Sequence, residues 1–150
     1  IISDMPFLSY QPSSEETIKN AGKLIKEGGA AAVKLEGGEH MFDNIKSLVD
    51  NGIPVLGHVG LTPQSYHQLS GYKIQGKSNQ DATKIIEDSI AVQEAGAFGI
   101  VLECIPEVLA TKITKSAFHL AHVFPMSNGA KMIAFRFSLN SFHETLHFLL

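Results

Sequence analysis

The chain has 150 residues, 44% of them hydrophobic, with 12 Lys+Arg against 15 Asp+Glu and a formal charge of −3. That length and apolar content suffice for one domain with a real core, and the lack of a basic run or an acidic block argues against a nucleic-acid surface or a charged disordered arm. No apolar run approaches the roughly 18 residues that a membrane span needs, and Cys104 is the one cysteine, so no internal disulfide forms, which fits a reducing compartment.

The opening Ile1-Ile2-Ser3-Asp4 has neither a charged leader nor a cleavage site, and reads as a strand entered midway. Pro12-Ser13-Ser14 then precedes a helix. Ser13 with Glu16 forms a capping-box pattern, Ile18, Ala21, Leu24 and Ile25 share one face, and Gly28-Gly29 ends it. A strand at 31–36 follows. The second helix runs from about Glu39 to Asp50, with Phe42, Ile45, Leu48 and Val49 inward and Asn51-Gly52 as the stop. A strand at 53–58 comes next. Residues 60–79 contain Pro63, Gly71 and Gly76 and read as a long loop, a length that is usually functional. Asp81 is positioned to cap a third helix, whose face carries Ile85, Ile86, Ser89 and Val92 and which ends at Gly96. A strand at 98–103 leads to Pro106, well placed in the first turn of a fourth helix. Strands alternating with helices imply a parallel sheet with right-handed crossovers.

The composition changes after residue 115. Residues 116–150 hold six of the nine Phe and four of the seven His, but only Lys131, Arg136 and Glu144 as charged residues. Residues 131–139 alternate as an edge strand would, and Ser141 with Glu144 suits the cap of a last short helix. The domain organisation expected is a βα unit over 1–115 and a divergent tail over 116–150. The His119/His122 and His143/His147 pairs lack a supporting third ligand and read as accidental to metal chemistry.

Each strand of the first 115 residues ends on a residue able to do chemistry: Asp4, Glu36, His58 and Glu103. Strands that deliver polar side chains at their carboxyl ends, each followed by a helix, build active sites in α/β barrels and doubly wound sheets. Lys34 and Glu36 lie on one strand face, since side chains alternate. Buried together they need each other or a charged ligand. Gly37-Gly38 lets backbone approach such a ligand, or simply turns the chain. Asp4 is a turn former or helix cap taken alone. With Glu36 it makes a pair of oxygen ligands for a hard cation such as Mg²⁺. His58, between Gly57 and Val59-Gly60, is either a satisfied polar group or a participant. Glu103 leaves a strongly apolar strand, where a raised pKa would suit a general base; its plain alternative is a salt bridge to a neighbouring loop. Cys104 reads as packing.

Five strings together carry a resemblance. They are Ser3-Asp4-Met5-Pro6-Phe7, Val33-Lys34-Leu35-Glu36-Gly37-Gly38, Gly57-His58-Val59-Gly60-Leu61-Thr62-Pro63-Gln64, Gly71-Tyr72-Lys73-Ile74-Gln75-Gly76 and Val101-Leu102-Glu103-Cys104-Ile105-Pro106. In order and spacing, from residue 1 to about 115, the chain resembles the ketopantoate hydroxymethyltransferase family. The resemblance implies an α/β fold: a partial (β/α)₈ TIM barrel of the phosphoenolpyruvate/pyruvate type, lacking the first strands and the last βα units, since a whole barrel takes about 250 residues. It implies hydroxymethyl transfer from methylene-tetrahydrofolate to 3-methyl-2-oxobutanoate, giving 2-dehydropantoate in pantothenate biosynthesis through a Mg-stabilised enolate. It also implies Asp4 as Mg²⁺ ligand and substrate contact, Glu36 as second metal carboxylate, Lys34 and His58 as substrate-binding residues and Glu103 as proton acceptor. The implied partners are the small 2-oxo acid and folate, without nucleic acid or membrane, in a homo-oligomer that is often a decamer. The implied location is cytoplasmic, or mitochondrial in a eukaryote.

The family also has an earlier Gly-Asp-Ser strand end whose aspartate binds Mg²⁺ and a later glycine-rich strand, and neither is found here. Little or no turnover by this chain alone is therefore expected, with open strand edges on both sides. Two other readings stand beside the enzyme: a related Mg²⁺/enolate lyase, and a non-catalytic remnant or interaction piece.

Overall fold

The computed structural model describes residues 1–65, 73–117 and 131–135, the last as backbone. In chain order the elements are β1 (Ile2–Asp4), α1 (Ser14–Lys26), β2 (Ala32–Glu36), α2 (Phe42–Asp50), β3 (Val55–Gly60), α3 (Asn79–Glu94), β4 (Gly99–Glu103), α4 (Glu107–Ala117) and β5 (Lys131–Phe135). Single 3-10 turns at Glu39–Met41 and Pro63–Ser65 follow β2 and β3. The β5 stretch falls inside the alternating segment 131–139. Residues 136–139, the cap at Ser141, both tail histidine pairs and Gly71-Tyr72 lie outside the described residues.

The helix boundaries follow local chemistry. Ser13 accepts the Glu16 N–H at 3.1 Å, which satisfies one of the orphan donors of α1. The reciprocal half of the box is absent: the Glu16 carboxylate turns to Lys19 and Asn20 instead. On α3 the expectation of Asp81 as cap is corrected. The cap is Ser78, whose side chain accepts the Asp81 N–H, and Asp81 lies in the first turn, where its charge suits the helix dipole.

The sheet order is β1-β2-β3-β4-β5, with the first four strands parallel and β5 antiparallel to β4. Sequential parallel order without a reversal is how a barrel wall is laid, not how a doubly wound sheet is. Register and alternation divide the side chains between two faces. Val33, Leu35, Val55, Val59, Ile100 and Leu102 face the helices, where they form the main core with Ala21, Ile45, Leu48, Ile85, Val92 and Ile113. Gly57 belongs to this face, and a Cβ there would collide with Val92 Cγ1, so its bareness sets how closely α3 approaches the sheet. The opposite face carries a small apolar cluster of Leu56 and Val101 flanked by Ile2 and Phe98.

The expectation of two open edges holds among the described residues, but β5 rather than β4 forms one of them. β5 pairs with β4 through five register positions, from Gly99–Phe135 to Glu103–Lys131, so the tail itself supplies backbone partners there. An antiparallel strand needs no crossover helix to do this.

Candidate functional site

The polar strand ends share the face turned away from the helices. Asp4 pairs in register with Lys34, Glu36 with His58, His58 with Val101, and Gly60 with Glu103. Positions in register point the same way, as do positions two apart on a strand. Asp4, Lys34, Glu36, His58 and Glu103 therefore form one diagonal row along the carboxyl ends of four strands.

Two groups make up the row. In the first, Lys34 Nζ lies 2.7 Å from Asp4 Oδ1, with Lys34 mostly covered and the Asp4 side chain 63% exposed. In the second, all three residues are buried: Glu36, His58 and Glu103. His58 Nδ1 is 3.6 Å from Glu36 Oε1, and Nε2 is 3.1 Å from Glu103 Oε2. Among the described residues neither ring nitrogen is aligned for a hydrogen bond, so these are electrostatic contacts rather than directed bonds. A Lys34–Glu36 pair, one of the outcomes the shared strand face allowed, is not what forms. Lys34 turns across to Asp4, and Glu36 turns to the β3 side. Glu103 meets a β3 side chain, His58.

Three backbone features hold the row. Gly60 adopts φ +93°, and a Cβ there would overlap the Glu103 carbonyl oxygen, which accepts the Leu61 N–H at 2.8 Å. Cys104, directly after Glu103, sits in the left-handed region at φ 50°, a conformation of order 1–2 kcal/mol above the right-handed one for a residue with a side chain. Its carbonyl accepts the Gln75 N–H at 2.8 Å, bringing the start of the α3 approach to the β4 end.

Sequence reasoning missed a further layer. Gln64 donates its backbone N–H to Glu36 Oε2 at 2.9 Å. Its side chain accepts the Tyr10 hydroxyl at 2.8 Å and donates to the Met5 carbonyl at 2.9 Å. Tyr10 is wholly buried, and its hydroxyl also accepts the Glu36 N–H at 3.2 Å. Burial, with the negative charges of Glu36 and Asp4 adding to it against the opposing backbone hydrogen bond, pushes the Tyr10 phenol up to about 12. The Tyr10 carbonyl is held in turn by Thr17 and Asn44. Gln64 stood inside a quoted string without a role. Tyr10 lies in an aperiodic loop, where no pattern marks it.

Among the described residues no group of three or more His, Cys, Asp or Glu is placed to hold a metal ion. The row offers two hard carboxylates, Asp4 and Glu36, on adjoining strand ends and one face. This donor set fits a cation that takes one or two protein carboxylates and fills its remaining positions with water and substrate oxygen, as Mg²⁺ does. No helix among those residues is long and apolar enough to cross a membrane.

Parallel β/α units with acidic and basic groups gathered at the strand carboxyl ends define an α/β protein of the barrel-enzyme type. The family model for ketopantoate hydroxymethyltransferase matches residues 1–119, and the chain belongs to that family. It is 61% identical over 115 residues to the 3-methyl-2-oxobutanoate hydroxymethyltransferase of Clostridium botulinum, covering 77% of this chain and 42% of that protein. The protein of that name in Geobacter sulfurreducens is 58% identical over 114 residues, covering 76% and 43%. That in Syntrophotalea carbinolica is 58% identical over 116 residues, covering 77% and 43%. The chain thus spans less than half the length of these relatives, and β5 falls beyond the family match.

Proposed function

We propose that the strand-end row is the 2-oxo acid half of a hydroxymethyltransferase site. In this reading a one-carbon unit passes from methylene-tetrahydrofolate to the branched carbon of 3-methyl-2-oxobutanoate. The observation that carries it is the buried Glu36–His58–Glu103 group. Such a group costs stability relative to a hydrophobic replacement, because ionisable groups in a low-dielectric interior lose hydration, so a role beyond folding accounts for it. The residues that the resemblance marks as site residues are the members of this row.

Glu103 removes the proton from the branched carbon, leaving the enolate of the 2-oxo acid. His58, 3.1 Å from its carboxylate, holds it in place and lines the pocket. Lys34, on the same face, exchanges its Asp4 partner for the substrate carboxylate and fixes its orientation. Asp4 and Glu36 would hold Mg²⁺, which supplies Lewis-acid polarisation of the 2-oxo acid oxygens when bound. Folate, the homo-oligomer and a cytoplasmic setting belong to this reading.

The test is proton exchange at the branched carbon, followed by NMR in D₂O with the full chain, 3-methyl-2-oxobutanoate and Mg²⁺. Exchange above the uncatalysed rate, lost in Glu103→Gln with the circular dichroism unchanged, is the expected result. Full transfer to product is not required of this chain. Equal exchange in both proteins overturns the role of Glu103. A second reading, a non-catalytic piece of such an enzyme, draws on the antiparallel β5, which takes the β4 edge where a parallel barrel would continue. Wild-type exchange no faster than buffer favours it. Exchange with other 2-oxo acids, but not this one, points to a related lyase.

A further inference from the structure

Glu36 is held at both ends, at its backbone by Tyr10 and at its carboxylate by Gln64, two residues bonded to each other. β1 stops at Asp4, so the backbone of Glu36 has no strand neighbour on that side. The Tyr10 hydroxyl stands in for one, accepting the Glu36 N–H at 3.2 Å and lying 3.3 Å from the Glu36 carbonyl. A phenol has a single proton to give. The shorter contact, 2.8 Å to Gln64 Oε1, takes it. Gln64 Oε1 also receives Gln11 Nε2 at 3.3 Å, while Gln64 Nε2 faces the Met5 carbonyl at 2.9 Å. Only one orientation of the amide satisfies all three neighbours. The side chain is thus fixed, Pro63 precedes it in a 3-10 turn, and the Gln64 N–H is aimed at Glu36 Oε2. With Oε2 held, Oε1 is left facing His58.

We infer that Tyr10 and Gln64 are positioning residues that fix the rotamer of the Glu36 carboxylate at the strand-end site. This rests on the reading that Glu36 works in that site, and deepens it. The pair acts through Glu36. A carboxylate whose backbone and one oxygen are both locked meets a cation or a substrate without reordering, which is what pre-organisation supplies.

The test uses the full chain labelled with ¹³C at the glutamate carboxyls, the Glu36 signal being the one lost in Glu36→Gln. Tyr10→Phe and Gln64→Met each shift and broaden the Glu36 signal, while Lys46→Met, on the exposed side of α2, leaves it in place. In the wild-type chain, moving from H₂O to D₂O transmits an isotope shift from the Gln64 amide to the Glu36 carboxyl. Mn²⁺, standing in for Mg²⁺, broadens the wild-type signal if Glu36 serves a cation. If Mn²⁺ has no effect but the variants still move Glu36, the cation role fails and the positioning stands. An unmoved Glu36 signal in a folded variant overturns the inference. So does the absence of the wild-type isotope shift, which decides the matter even if neither variant folds.

Discussion

The two faces of the parallel sheet use the same strands for opposite ends. On the helix side Val33, Leu35, Ile100 and Leu102 join a core that runs through all four helices. On the other side Leu56 and Val101 form a small patch, and beyond it stand Lys34, Glu36, His58 and Glu103. Neighbouring residues of one strand, such as Leu102 and Glu103, therefore do different work. Stability is concentrated on one face, which lets the other keep buried polar groups that stability alone would not select.

Matched substitutions on the two faces test this most directly. Leu102→Ala should lower the unfolding free energy by about 4 kcal/mol in urea denaturation, and Leu56→Ala by about 2 kcal/mol, because the patch has fewer partners to lose. Equal losses would break the comparison. Gly57→Ala should cost about 3 kcal/mol by overpacking against Val92. Adding Val92→Ala should recover part of that cost, a coupling readable in a double-mutant cycle.

The polar face has its own signature in alkali. The Tyr10 phenol is raised from 10.0 to about 12, so the folded state holds its proton more tightly than the unfolded chain does. Its contribution is whole below pH 10 and is lost as pH rises through 12, by about 2–3 kcal/mol. Absorbance at 295 nm should show one of the three tyrosines ionising last, and Tyr10→Phe should remove both that step and its share of the alkaline loss. The smallest effect belongs to the outer surface. Lys84 bridges Glu39 at 2.9 Å and Asp88 at 3.2 Å, and its hydrogen bond to Glu39 holds that exposed carboxyl below the usual range. Lys84→Met should move the melting temperature less than any change above, and the difference should vanish in 1 M salt.

Element order and the strand ends at Asp4, Glu36 and Glu103 were legible because both rest on local rules; His58 was expected at an end, but β3 runs on to Gly60. The 3.6-residue spacing of Ile18, Ala21 and Ile25 and the apolar run before Glu103 need no tertiary information to be read. The cap of α3 was misplaced because Ser78 and Asp81 are both good cap formers three residues apart, and it is Ser78 that accepts the Asp81 N–H. The partners within the row were not legible. Lys34 meets Asp4 and Glu36 meets His58 because of register across strands, which a single strand pattern does not carry. Tyr10 and Gln64 escaped for the same reason, their bonds spanning 26 and 28 residues to Glu36. The alternation at 131–139 announced a strand, though neither its partner nor its direction.

That direction has a consequence at the mouth of the row. β1 to β4 arrive there by their last residues, whereas β5 departs from it, since Lys131 stands opposite Glu103 and Phe135 opposite Gly99. The fifth staircase is thus climbed from the top. The backbone of Lys131 therefore stands at the doorway of the site and that of Phe135 at its cellar.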